Sequence, residues 1–233
     1  MRTIFIWDVH WCFDEFCNLL EKIKYNQNTD KLYLTWDIIN KWPKTLELLN
    51  FLVNNTQIKS VIWNNEVNFI RYIRNLEELE IDWDWYLNNE NYRNLLKKGL
   101  FDKKYEKENI LFDEYLKSFS KEHIEYLLNL PLYIENTDWL LIHWWVIPWK
   151  QLEEQHIDEV TRIRDFQWKP WYLKYTWNKP IIYWHWAQDG ISIRNNTIWL
   201  DSWCVYWKRL TAYILETNQI IQTPALKTYI AVN

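Results

Sequence analysis

The chain has 233 residues, 48% of them hydrophobic and 25% charged, with a formal net charge of −4 at pH 7. One domain is the default for that length and a large core can be buried, while the acidic balance argues against a nucleic-acid backbone as the main partner. Apolar runs fall short of the roughly 18 to 20 residues of a membrane span, and the single basic residue before Asp8 makes a poor secretory signal, so the sequence reads as cytoplasmic. Cys12, Cys17 and Cys204 have no zinc spacing and are odd in number, which fits free thiols in a reducing compartment.

In chain order, strand and helix alternate. Thr3 to Ile6 is a short β-branched and aromatic run, predicted as a buried strand that delivers Asp8 and His10 to its C-terminal edge. A helix follows with Phe13, Phe16, Cys17, Leu20 and Ile23 on one face. Lys31 to Thr35 reads as the second strand, ending at Trp36-Asp37, and Lys44 to Val53 as the next helix. Ser60 to Ile62 is the third strand, ending at Trp63-Asn64-Asn65-Glu66. From Val67 to Leu130 the chain turns rich in Glu, Lys, Asn, Leu and Tyr, and is expected to form a helical insertion, about 67–130, within a single domain 1–233. Its charge runs, such as KKYEKE, read as solvated faces. Strand character returns at Trp139 to Ile142, delivering His143, and at Ile181 to Tyr183, delivering Trp184-His185. The tail from Ile198 to Val232 reads as antiparallel strands.

Composition carries one anomaly. The chain holds 19 Trp and only 2 Gly, against a usual glycine share of roughly 7%. Turns, helix C-caps and close backbone contacts all call for glycine. Tryptophan instead sits beside nearly every metal-competent side chain: Trp7 and Trp11 around Asp8 and His10, Trp36 before Asp37, Trp63 before Asn64, Trp144 and Trp145 after His143, Trp184 before His185. Taking fourteen of the tryptophans as glycine would give 16 glycines, about the 7% average. The sequence therefore reads as the translation of a gene whose UGA codons its own organism decodes as glycine. A Trp-rich binding surface for glycans or single strands is the other reading, and it predicts indoles scattered over exposed faces.

With glycine restored, the motifs become GDVHG at 7–11, GDIINKGP at 36–43, GNNE at 63–66, HGG at 143–145, GHW at 184–186 and GLDSGCVYG at 199–207. This order resembles the calcineurin-like metallophosphoesterase superfamily, in the branch of the serine/threonine protein phosphatases and the symmetrical diadenosine tetraphosphatases. It runs from residue 7 to about 212. The resemblance implies an α/β fold, a two-sheet β-sandwich flanked by helices, and a hydrolase working through two divalent metals, with Mn expected and Fe or Zn as alternatives. Asp8 and His10 would hold the first metal, Asp37 would bridge both, and Asn64, His143 and His185 would hold the second. Carboxylate, imidazole and amide oxygen suit such ions without thiolate. The implied chemistry is attack on phosphorus by a bridging water acidified between the metals. The implied substrate is a phosphoprotein or a dinucleoside polyphosphate; no membrane partner is expected.

Two departures matter. Where the family commonly has Asp-Arg in its second motif, this chain has Asn40 and Lys41, and where it has histidine in its third, this chain has Asn65. The family's His–Asp dyad for protonating a leaving group is therefore absent, and asparagine does not titrate. Asn65 and Asp37 remain candidates for the catalytic surroundings, and the loss favours weakly basic leaving groups, as in phosphoanhydrides. It also suits an alternative reading as a catalytically weakened binding or regulatory protein, although a pure binding module needs no set of metal ligands. Lys41 and Arg164, with Arg162 beside it, are the candidate phosphate cations. His123, His156 and Asp201 lack a ligand setting. Trp171 and Trp186 fit as true tryptophans, while Trp83, Trp85 and Trp139 stay unassigned.

Overall fold

The computed structural model describes residues 1–7, 9, 12–35, 38–39, 44–78, 112, 114–144, 146–162, 171–183, 190–194 and 196–229. They divide into two compact units, one of residues 1–64 and 130–233 and one of residues 65–129.

The first unit holds two five-stranded sheets. In sheet one the order is β10 (Gln219–Pro224), β9 (Arg209–Ile214), β1 (Arg2–Trp7), β2 (Asp30–Thr35), β3 (Lys59–Val61). Here β1, β2 and β3 run parallel, and β9 and β10 run antiparallel to close the other side. Sheet two has the order β4 (Tyr133–Glu135), β5 (Leu140–Ile142), β6 (Ile181–Tyr183), β8 (Thr197–Asp201), β7 (Gly190–Ile193). Its β5, β6 and β8 are parallel, with antiparallel edges. Parallel strands are covered on both faces and so read as unbroken apolar runs. Thus Ile4, Phe5 and Ile6 are all buried, as are Leu140, Leu141 and Ile142.

The sheets meet through aromatic packing. Trp139, just before β5, sets its ring edge-on to Phe5 at 5.0 Å and to Tyr33 at 4.7 Å. Edge-to-face geometry is favoured by the ring quadrupoles and adds about 0.5–1.5 kcal/mol per pair beyond burial.

Helix α1 (Phe13–Lys22) connects β1 to β2 and packs against β9 and β10. Its buried face is Glu15, Phe16 and Leu19, continued by Ile23, with Cys17 and Leu20 half-buried. Asp14 and Glu15 in the first turn and Lys22 in the last suit the helix dipole. Helix α2 (Thr45–Asn54) links β2 to β3 and buries Leu48, Leu49 and Leu52. At the start of β1, Arg2 donates from Nε and Nη2 to the Asp30 carboxylate at the start of β2, at 2.9 and 2.5 Å. That two-pronged bond ties the parallel pair together at its first register position, Arg2↔Asp30.

The second unit is helical among its described residues. Helix α3 (Asn64–Glu78) begins at the unit boundary, and Phe69 on it meets Phe112, Tyr115 and Phe119, with Tyr115 and Phe119 stacked at 5.0 Å. Helix α4 (Lys121–Leu128) starts with a reciprocal cap. Ser120 Oγ accepts from the His123 N–H, and His123 Nδ1 accepts from the Ser120 N–H. His123 is thus a buried capping residue. A short helix α5 (Ile157–Arg162) lies in the first unit, where His156 stands exposed before it.

Candidate metal centre

The topology brings distant parts of the sequence to neighbouring strand ends. β1 and β2 stay in register to Trp7↔Thr35, so the chain leaves both strands side by side, with Asp8 and Asp37 one and two residues further on in sequence. β3 ends at Val61 next to Thr35, and the chain enters α3 at Asn64. In the second sheet β5 and β6 are parallel neighbours; His143 directly follows the first, and His185 comes two residues after the second. Asp8, His10, Asp37, Lys41, Arg164 and His185 lie outside the described residues, as do Asn40 and the Arg162 side chain.

Of the sequence-predicted site residues, Asn64, Asn65 and His143 are described. His143 is 0% exposed. The Trp63 ring lies 4.2 Å from its imidazole, tilted by 35°, so the segment that leads into Asn64 runs beside His143. Trp144 meets the same imidazole edge-on at 6.3 Å. The Asn64 side-chain oxygen is also buried. A buried imidazole and a buried amide oxygen are donor types that borderline divalent cations take, and the sequence places two aspartates and two more histidines shortly after neighbouring strands. These residues fit the metals that the motifs imply. Asn65, the second residue of α3, belongs to the helical unit.

The indoles fit less well. Trp7 is 0% exposed, and its Nε1–H is buried without a hydrogen-bond partner among the described residues. Buried polar groups left this way are uncommon and costly.

Sequence reading missed two groupings. Tyr183, the last residue of β6, accepts a 3.4 Å hydrogen bond from Arg194, whose guanidinium lies 4.0 Å over the Tyr172 ring. Trp171 packs edge-on to Tyr183 at 4.8 Å. Burial pushes the Tyr183 phenol up to about 12, so it stays protonated and braces the strand end that precedes His185. The KPWY run at 169–172 hinted at this cluster, but its partner Arg194 is remote in sequence. The second grouping joins Cys12, Glu15 and Cys204, whose ligand-type atoms lie within 4.8 Å of one another. The Glu15 carboxylate is engaged by the Leu226 N–H at 2.7 Å and the Tyr229 hydroxyl at 2.9 and 3.0 Å. It therefore acts as a strut that pins the C-terminal segment to α1.

No family model matches the chain. Among curated relatives, the symmetrical bis(5'-nucleosyl)-tetraphosphatase of Buchnera aphidicola is 46% identical over 71 residues, 30% of this chain. That match spans only 26% of the relative's own length. The enzyme of the same name from Neisseria gonorrhoeae is 26% identical over an alignment of 265 positions that covers 94% of each chain. A crystal structure assigned as a candidate diadenosine tetraphosphatase superposes with a TM-score of 0.74 over 97% of this chain and 94% of its own, at 21% identity. A metallophosphoesterase from Sphaerobacter thermophilus gives 0.52 over 96% and 88%, at 14% identity. The fold is that of the calcineurin-like metallophosphoesterases. The likeness to relatives and to solved structures runs along nearly the whole chain.

Proposed function

We infer that the protein is a metal-dependent phosphoesterase that hydrolyses phosphoanhydride bonds, with dinucleoside polyphosphates as its substrate class. The observation that carries this reading is the alignment over 94% of both chains with a relative named as a symmetrical bis(5'-nucleosyl)-tetraphosphatase. Asp8, His10, Asp37, Asn64, His143 and His185 would hold two divalent cations, which supply Lewis-acid activation of water and neutralise charge at phosphorus. Lys41 and Arg164 would contact substrate phosphate as cations. Asn40 and Asn65 leave the site without a titrating pair to protonate a leaving group. An alkoxide leaving from phosphoserine needs that proton; a phosphate leaving from an anhydride needs it far less. The anhydride preference rests on this difference.

The same two asparagines favour a second reading, a phosphoesterase fold kept for binding or regulation. One set of measurements separates the two. Protein made by its own cells is assayed with Mn on a dinucleoside tetraphosphate, an aryl phosphate and a phosphoserine peptide, with and without chelator. The expected order of turnover is tetraphosphate, then aryl phosphate, then peptide, all lost on chelation. Peptide turnover equal to that of the tetraphosphate overturns the anhydride preference. Absence of chelator-sensitive hydrolysis on all three overturns the enzyme reading in favour of the binding one.

A further inference from the structure

Four non-glycine residues among those described have positive φ: Lys24, Trp203, Trp207 and Asn218. Two of them are unremarkable. Lys24 follows the end of α1 at φ 51°, where its N–H bonds back to the Glu21 carbonyl, and Asn218 sits at φ 52° in the turn between β9 and β10. Asparagine tolerates the left-handed region well. The other two are tryptophans, four residues apart, on either side of the short turn Cys204–Tyr206.

Backbone hydrogen bonds hold that turn on both sides. The Tyr206 and Lys208 N–H groups both donate to the Trp203 carbonyl, at 3.0 and 3.1 Å, and the Trp207 N–H donates to the Cys204 carbonyl at 3.1 Å. Arg209 N–H closes onto Ser202 at 3.3 Å, and Tyr229 N–H reaches the Val205 carbonyl at 3.0 Å. Cys204 and Val205 between the two tryptophans are buried. The network fixes Trp203 at φ 57°, ψ 36° and Trp207 at φ 100°, ψ 0°. The first is the left-handed helical well, which Lys24 and Asn218 also occupy, so it suits glycine without requiring it. The second lies beyond that well, in ground that a bulky L-residue essentially does not occupy and that glycine enters freely. Trp207 meanwhile is 65% exposed, so no burial of its indole explains the residue.

We propose that residues 203 and 207 are glycine in the protein as its own cells make it, because their UGA codons are decoded as glycine, and that the tryptophans bordering the candidate ligands at 7, 11, 36, 63, 144, 145 and 184 have the same origin. The backbone assignment at 203 and 207 is independent of the composition argument, which counts residues and says nothing of φ. It is independent also of any metal or substrate. At 7 the packing agrees, since the indole N–H is buried without a partner among the described residues; at 63 the ring lies 4.2 Å from the His143 imidazole, beside a candidate ligand. Not every tryptophan follows. Trp171 is buried among Tyr172, Tyr175 and Tyr183, and Trp139 joins the two sheets between Phe5 and Tyr33. Neither has a positive φ, a property they share with Trp7, Trp63 and Trp144, so it is the ring packing that marks both as true tryptophans.

The test is peptide sequencing by mass spectrometry of the protein purified from its own cells, set beside the codons of its gene. Glycine at 203 and 207 from TGA codons, with tryptophan at 139 and 171 from TGG codons, is the expected result. Tryptophan in the native peptide at 203 or 207, or a TGG codon at either, overturns the proposal. A glycine at 171 would overturn the packing criterion used to separate the two classes. The readout requires no activity, so it stands or falls apart from the phosphoesterase reading.

Discussion

Replacing Trp207 isolates the backbone argument from every other feature of the chain. Its side chain is 65% exposed, so removing the indole forfeits little burial, whereas the residue sits at φ 100°, ψ 0°. A Cβ in left-handed backbone costs about 1–2 kcal/mol. Glycine gives back about 0.5–1 kcal/mol through the larger entropy of its unfolded chain. Trp207→Gly should therefore stabilise a chain carrying all nineteen tryptophans by about 1 kcal/mol, or about 2–4 °C in Tm for a chain of this size. Trp207→Ala is the decisive partner, since it removes the indole but keeps the Cβ; its Tm should stay within about 1 °C of the parent. Trp203 is a poorer probe, because its ring lies 5.5 Å from Tyr206 and 4.7 Å below the Lys208 ammonium, contacts whose loss offsets about 0.5–1 kcal/mol each. Differential scanning calorimetry of parent, alanine and glycine forms reads the answer. A glycine form no more stable than the alanine form would refute the claim that backbone geometry, rather than the indole, is at odds with this position.

The opposite sign is expected at Trp171, where truncation to alanine empties a buried aromatic site and should cost about 3–5 kcal/mol in urea unfolding. Asp30→Asn breaks the two-pronged bond from Arg2 and should cost about 1.5–3 kcal/mol. The Arg2 hydrogen bond holds the Asp30 carboxyl below its ordinary 3.8, so its contribution is complete above pH 3.8 and fades as pH falls through the lower folded value; the variant should flatten acid unfolding in that window. His123 has the reverse chemistry, with burial lowering its folded value below 6.5. The unfolded chain takes up the proton first, so stability is full above pH 6.5 and falls as pH drops from there toward the folded value. His123→Gln, which preserves the capping pattern, should shrink the difference in urea midpoint between pH 7.5 and 5.5. His143→Ala, in a chain with glycine at the proposed positions, should lower chelator-sensitive turnover by about 10²-fold or more and weaken Mn binding by calorimetry, while leaving the far-UV circular dichroism unchanged.

Sequence periodicity located the elements that repeat a simple rule. The run Ile181 to Tyr183 is a strand with those bounds; the strand from Asp30 differs from the sequence reading by one residue at its start, and those from Arg2 and Lys59 by one residue at each end. β1 and β6 are buried apolar runs, and β2 and β3 keep enough buried residues among their polar ones for hydrophobicity to betray them. The short edge strands β4 (Tyr133–Glu135) and β7 (Gly190–Ile193) were not legible, since three or four half-exposed residues carry no period. Helix α1 shows a subtler limit. Its apolar spacing nominated Cys17 and Leu20, but the buried stripe swings toward Glu15 and Leu19, because Glu15 turns inward to meet Leu226 and Tyr229 from the far end of the chain. A carboxylate drawn into the core by a partner 211 residues away leaves no local trace.

The candidate site was proposed from a sequence pattern that the strand topology accounts for. Parallel strands β1, β2 and β3 in one sheet, and β5 and β6 in the other, all deliver their C-terminal ends to the loops that carry ligands, so each metal-competent residue comes soon after an apolar run. Where a chain leaves a buried strand for a tight loop, close backbone approach favours glycine. Under the proposed recoding, glycine and candidate-ligand positions would alternate along the chain, and each UGA codon printed as tryptophan would fall beside a candidate ligand. The turn at 203–207 has the same requirement without any ligand, and there the backbone angles report it directly. An indole that belonged at these places for stacking or binding would sit where its ring is used. At 207 the ring is largely in solvent and the backbone is where only glycine is comfortable, so the requirement lies in the main chain and the side chain is incidental to it.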